Sequence, residues 1–393
     1  MRQHTRSVGP TTGISNHLRS FRTRRGLSQS ELATRAGITR QAVSSIESNI
    51  YLPTTGVALQ LASALACRVE DLFSLATADD MIEGSFIGHI PRGEAEGAPI
   101  RVKVSTVGKR TIVRPINDLG EQFSFAVPAD GYVTDTDGKL PGARVRVALS
   151  RDREAIQQEI SVAGCDPAIF LAGEHLRRQK DQTTVVGWSM GSMAALHALQ
   201  RHEVHVAGLH LYDPVTGESN LPFLRRTLKG AGYSVVTFAT WEEGFLVRPG
   251  NPKSLRTAAD LADASVTLVN REEGSGARLL LDQRLRAAGI ASTHIRGYDK
   301  TVPSHFEVAR AVAGHQADVG IGVRSAARHF ELDFVPLQAA RYDLVVPTSY
   351  LKSHPTLAHL FETLASRAFR NEIEALGGYD TRETGKVQAL RAG

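Results

Sequence analysis

Cysteine is nearly absent from this chain: 393 residues contain only Cys67 and Cys165, far apart and each inside an apolar stretch. That excludes a disulfide framework and fits a reducing compartment. No run of eighteen or more apolar residues occurs, so no segment is expected to span a membrane. The opening MRQHTRSVGPTTG also lacks the apolar core of a secretory signal, and a cytoplasmic location is expected. Lysine is missing from the first 75 residues, which hold nine arginines against four acids. The remaining residues carry 37 charges of each sign, so the chain's net +5 lies wholly within that opening segment, as contact with phosphates requires.

The arginine-rich segment also has a pattern. In LSQSELATRAGITRQAVSSIESN (27–49), Leu32, Ala33 and Ala36 are apolar at helical spacing, Gly37 breaks the run, and Val43 with Ile46 starts a second apolar side. Ser28 stands three residues before Glu31, the spacing of a capping box, and Thr39 suits the N-cap of the second helix. Ile14–Arg25 reads as a helix before this pair. Val57, Leu61 and Leu65, then Val69, Leu72 and Phe73, complete a core of five short helices. Over about residues 14–75 the segment resembles the Xre/Cro/C1 type of bacterial helix-turn-helix regulator. The resemblance implies binding to double-stranded DNA as a homodimer on paired half-sites, with Gln29, Thr39, Arg40, Gln41, Ser44 and Ser45 facing bases or phosphates.

At this length the chain should divide into two or three domains. Residues 1–13 are polar and expected to be disordered. From 78 to 153 the text turns to strand-like runs, IRVKVSTV, KRTIVRPI, EQFSFAVP and ARVRVALS, with turns at GEAEGAP and DTDGKLPG. This reads as a small β-rich linker module to which no chemistry is assigned. Beyond residue 155 strand and helix alternate, the pattern of a parallel α/β sheet whose ligands bind at the carboxyl ends of strands.

Two motifs fall at such ends. Gly187-Trp188-Ser189-Met190-Gly191 matches GxSxG between a strand and a helix, the setting of a nucleophile elbow. A hydrolase would use Ser189, with His294, His305, His315 or His329 as base and Asp260 or Asp318 as orienter. Against it, only one clear α/β strand precedes the elbow and no oxyanion loop does, and we expect no enzyme and no catalytic residue. The rival reading makes SMGS an anion-binding loop at a helix N-terminus, and the NREEGSGAR loop (270–278) a second one facing it across a cleft. A C-terminal part serving only oligomerisation is the third possibility.

The ordered set AGCDPA (163–168), LYDPVTGESN (211–220), GFLVRPGNP (244–252), NREEGSGAR, ADVGIG (317–322), DFVPL and RYDLVVP resembles the periplasmic-binding-protein fold, in the form fused to helix-turn-helix domains and related to molybdate- and tungstate-binding proteins. The resemblance spans about residues 157–390. It implies a multidomain chain: an all-α helix-turn-helix head (14–76), a β-rich middle segment (78–153) and a two-lobed α/β ligand-sensing domain (155–393). Lobe 1 would take about 155–255 and 340–393, and lobe 2 about 256–339. It further implies a small anionic ligand, molybdate or tungstate first, held by Asp166, Ser189, Ser192, Ser275, Gly276, Arg278, Ser304 and His305. No other cofactor, no resident metal and no membrane partner are expected. Asp166 is unfavourable beside an anion, which keeps open a bulkier one, a pterin-bound metal or an organic acid, from whose hydroxyl it would accept.

Overall fold

The computed structural model describes residues 14–75, 81–89, 100–179, 183–229 and 232–390. Residues 1–13 and the GEAEGAP turn lie outside them. The head consists of α1 (Leu18–Arg24), α2 (Gln29–Ala36), α3 (Arg40–Glu47), α4 (Thr55–Leu65) and α5 (Val69–Leu72). The capping box forms: the Ser28 hydroxyl accepts from Glu31 N–H, and Glu31 accepts from Ser28 N–H at 2.7 Å. Gly37 then turns the chain at φ 67°, and the Thr39 hydroxyl caps α3. Leu18, Leu32, Val43, Ile46, Leu61 and Leu72 are fully buried between the helices. Each such side chain contributes about 1.5–3 kcal/mol over an exposed one. The first helix is shorter than the expected 14–25. Asn16 accepts from Leu18 N–H and donates to Ile46 O, which ends the preceding strand. That strand, Ile14–Asn16, pairs with Phe73–Leu75 and ties the two ends of the head together.

The middle segment closes into a five-stranded barrel of Met81–Phe86, Arg101–Val107, Arg110–Pro115, Gly131–Thr136 and Arg144–Leu149. Phe86, Val102, Val104, Val113, Val145 and Val147 fill it. One expected strand is a helix instead, Glu121–Ala126, entered through Gly120 at φ 90°. In a strand Phe123 and Phe125 would share a face. In the helix they separate, Phe123 stacking on Phe170 at 4.4 Å and Phe125 standing 91% exposed. Buried charge fastens the barrel to the start of the C-terminal domain. Lys103 Nζ lies 2.7 Å from Asp130 and 2.6 Å from Glu159, and Arg151 Nη1 joins the same two carboxylates. Two cations against two carboxylates leave the buried group formally neutral, which limits the desolvation cost of such a set.

The C-terminal domain is built on one ten-stranded sheet. Ile160–Gly164, Val185–Ser189 and Val206–Leu209 are parallel, as expected. The sheet as a whole is mixed, because two strands of 15 residues, Tyr233–Val247 and Asp333–Pro347, run antiparallel through both lobes. One end of this ribbon joins the three parallel strands. The other joins Val319–Val323, Leu268–Arg271 and Thr301–Val302. LDFVPL and YDLVVP, read as separate strands, are therefore two halves of one. Register shifts at Thr237/Ala239 and Glu243/Gly244 interrupt the ribbon between the lobes. The long helix read over 357–376 is two, since the Ser366 hydroxyl caps a new start by accepting from Phe369 N–H. Among the described residues no helix is long and apolar enough to cross a membrane.

Candidate functional site between the lobes

The ribbon brings strand ends of both lobes to one point. Ile160–Gly164 delivers Cys165 and Asp166, Val206–Leu209 delivers His210, and the ribbon adds Trp241, Glu243 and Tyr342. From the second lobe come Arg271, at the end of its strand, and His305, the first residue of the helix His305–Ala313. Donor atoms of Cys165, His210 and His305 all lie within 4.8 Å of one another, and all three residues are buried. His210 Nδ1 is 2.7 Å from Glu243 Oε1, an ion pair whose ring is not aligned for a hydrogen bond. Trp241 stacks on Tyr342 at 4.7 Å and meets the His210 ring edge-on.

Several polar atoms of this cluster are buried without a partner: both ring nitrogens of His305, His210 Nε2, Trp241 Nε1, Arg271 Nη1 and Asp166 Oδ2. Buried polar groups are nearly always paired, so such a concentration marks a place where something else binds. Arg271 is only 1% exposed; its Nε and Nη2 donate to Glu272 and Nη2 to Pro303 O, leaving Nη1. Burial disfavours the His210 imidazolium, but the Cys165 sulfur and the Glu243 carboxylate outweigh it and push its pKa up to about 10. His305 moves the other way, held well below the ordinary value by burial and by the charges of Arg271 and His210. Burial pushes the Asp166 carboxyl up to about 6, against the hydrogen bonds from Ala168 N–H and the Tyr379 hydroxyl.

The lobes touch beside this cluster. Met193 N–H donates to Gly274 O at 3.1 Å, so the SMGS and NREEGSGAR loops face each other. A Cβ on Gly276 would come within 2.4 Å of His210 O and 2.5 Å of its ring; one on Gly191 would come within 2.7 Å of Glu272 Oε1. Of the residues proposed from sequence, Asp166 and His305 lie in the cluster and Gly276 abuts His210. Ser192 is buried and accepts from His210 N–H. Ser275 caps its helix, accepting from Arg278 N–H and donating to Glu272 O, and Ser304 caps the next by accepting from Glu307 N–H. Ser189 stands exposed at its strand end. Arg278 points elsewhere, lying 3.9 Å from the Tyr298 ring centroid and donating to Asp282 and to Arg271 O. The guanidinium of the cluster is that of Arg271. Sequence reasoning also missed Cys165, His210, Trp241 and Glu243. The rule that selected Asp166, a position just past an apolar strand, selects His210 as well.

The hydrolase parts do not assemble. Asp260 accepts from Arg256 and Thr257 N–H, Asp318 pairs with Arg248 and Thr267 N–H, and His315 Nδ1 faces Arg248. His329 packs its ring against Phe306 and Phe330.

On the head, Arg40 and Gln41 are exposed on α3, with Ser44 and Ser45 half-buried beside them. The Thr39 hydroxyl accepts from Ala42 N–H at 3.0 Å. Gln29 is tied down, donating to Glu47, which also takes two hydrogen bonds from Arg22. That clamp sets the angle of α3 against α1 and α2.

Residues 18–72 match the helix-turn-helix family, and residues 173–365 match the PBP superfamily domain. The chain is 34% identical over 228 residues to the uncharacterised protein YvgK of Bacillus subtilis, covering 58% of this chain and 73% of that one. The chain belongs to this family. It is a helix-turn-helix protein with a PBP-superfamily domain. Its head is also 37% identical over 62 residues to the HTH-type transcriptional regulator YgzD of Bacillus subtilis, 16% of this chain and 94% of that one. Among solved structures, an ABC-type phosphate transport receptor from Vibrio cholerae aligns with 56% of this chain and 98% of its own, at 15% identity and a TM-score of 0.39. For this PBP-superfamily regulator the two domains imply two partners, DNA at the head and a small ligand at the C-terminal domain.

Proposed function

We propose that the protein is a ligand-responsive transcriptional regulator whose effector is enclosed between the two lobes. The observation that carries this is the cluster of unpartnered buried groups contributed by both lobes, in a chain with a DNA-binding head. A ligand touching both lobes favours their closed form in proportion to its differential affinity. Closure would alter the placement of two heads on paired half-sites. A small oxyanion of the molybdate or tungstate type remains the ligand expected from the resemblance; Arg271 Nη1 and Trp241 Nε1 are donors suited to it, while Asp166 and Glu243 oppose it.

Thermal-shift screening of the full chain against molybdate, tungstate, phosphate and small organic acids tests the oxyanion. A rise in melting temperature that Arg271→Ala removes is expected; no rise with any of them sinks the anion. For the head, Arg40→Ala with Gln41→Ala should cost about 2–6 kcal/mol of operator binding and relax sequence preference, since each bidentate base contact is worth about 1–3 kcal/mol. Unchanged affinity and preference in a gel-shift titration would count against α3 as the reading helix.

A further inference from the structure

We propose that Cys165, His210 and His305 form a binding site for a zinc-class transition-metal ion, and that this ion draws the two lobes together. The inference rests on the reading of the interlobe cluster as the effector site, and it names the class of effector. No resident metal was expected from the sequence, because the three residues are far apart in the chain and show none of the close ligand spacing of a zinc motif.

Three observations support it. The donors are one thiol and two imidazoles, the types that select zinc and its softer neighbours over magnesium or calcium. Their atoms converge within 4.8 Å, and each ring keeps a nitrogen that nothing in the protein engages. Finally, Glu243 lies 2.7 Å from His210 Nδ1, the nitrogen that would be left over if Nε2 took the metal. A carboxylate in that place orients a metal-bound imidazole and raises its basicity.

The spacing ties binding to closure. In a tetrahedral zinc site, bonds of about 2.0–2.3 Å put neighbouring donors about 3.5 Å apart. The present 4.8 Å envelope is wider, and Cys165 and His210 belong to one lobe while His305 belongs to the other. Completing the coordination sphere therefore pulls the lobes inward. Three protein ligands leave a fourth position, open to water or an exogenous donor. Asp166 Oδ2 and Arg271 Nη1 are buried nearby and available to whatever occupies it.

The test uses untagged, reduced full-length protein titrated with Co2+ alone. One equivalent should bind with a thiolate-to-cobalt charge-transfer band that Zn2+ displaces, is lost in Cys165→Ser and persists in Cys67→Ser. His305→Gln, which leaves the thiol in place, should weaken binding at least about tenfold, and Glu243→Gln about 10- to 100-fold. Absence of the band, or its survival in Cys165→Ser, overturns the proposal. So does unchanged cobalt affinity in His305→Gln, should Cys165→Ser fail to fold. If molybdate raises the melting temperature and cobalt does not bind, the metal site fails while the sensor reading stands. If cobalt binds through Cys165 and His305 yet changes neither scattering radius nor operator affinity, the site stands while closure and the sensor reading fail.

Discussion

Gly276→Ala is expected to abolish or sharply weaken the response to effector while leaving the fold of each lobe intact. Gly276 opens the helix Gly276–Ala287 with an ordinary backbone conformation, and alanine is the better helix former by about 0.8–1 kcal/mol. The second lobe alone should therefore lose nothing. The added Cβ, however, would lie 2.4 Å from the backbone oxygen of His210 in the first lobe, an atom that cannot swing aside as a side chain does. Overpacking of this kind costs about 1–3 kcal/mol, and here it falls on the closed form alone. Effector affinity should fall roughly 5- to 150-fold, and small-angle scattering should show the variant remaining open at effector concentrations that close the natural protein. Equal ligand-induced shifts in both proteins would mean that closure does not run through this contact.

The second large effect is a loss of stability in acid through His205. Its Nδ1 accepts from Ser161 N–H at 3.0 Å and its Nε2 lies 2.9 Å from Thr106 O, so the neutral ring with hydrogen on Nε2 staples the barrel to the C-terminal domain. Burial, and then the neighbouring His354, lower its pKa to about 3. The unfolded chain takes up this proton near pH 6.5, whereas the folded protein refuses it until about pH 3. The contribution is complete above about pH 6.5 and is lost as pH falls toward 3, at up to about 1.4 kcal/mol per pH unit and about 4–5 kcal/mol in all. Asparagine at this position can still accept from Ser161 but cannot titrate. Urea titrations between pH 7 and 4 should show a shallower acid limb for His205→Asn, by about one proton, from a lower starting stability. Parallel limbs would mean that another group drives the acid loss.

Much of the architecture is legible because it is set by near neighbours. The capping box of Ser28 and Glu31, the turn at Gly37 and the apolar spacing of α2 and α3 act within a few residues, and all are visible in the text of the chain. The two facing loops were legible for the same reason, each a strand leading into a helix start. The ribbon was not. The stretch SVVTFATWEEGFLV carries Trp241 and Glu243 inside an apolar strand, and only pairing with Asp333–Pro347 shows that these face the junction of two lobes. Phe125 misled because alternation in EQFSFA suits a strand, while Gly120 and the stacking of Phe123 on Phe170 favour a helix.

By itself, then, the sequence determined the DNA-reading head: its charge, caps and apolar spacing are local, and a helix-turn-helix is small enough to be specified locally. It determined as well that a two-lobed α/β domain follows. Only the tertiary structure decided what that domain presents to a ligand. Cys165, His210, Glu243, Arg271 and His305 become neighbours because one long antiparallel ribbon carries the chain twice between the lobes. Contacts of that range leave no periodicity in the chain, since each residue reaches the site on a different element.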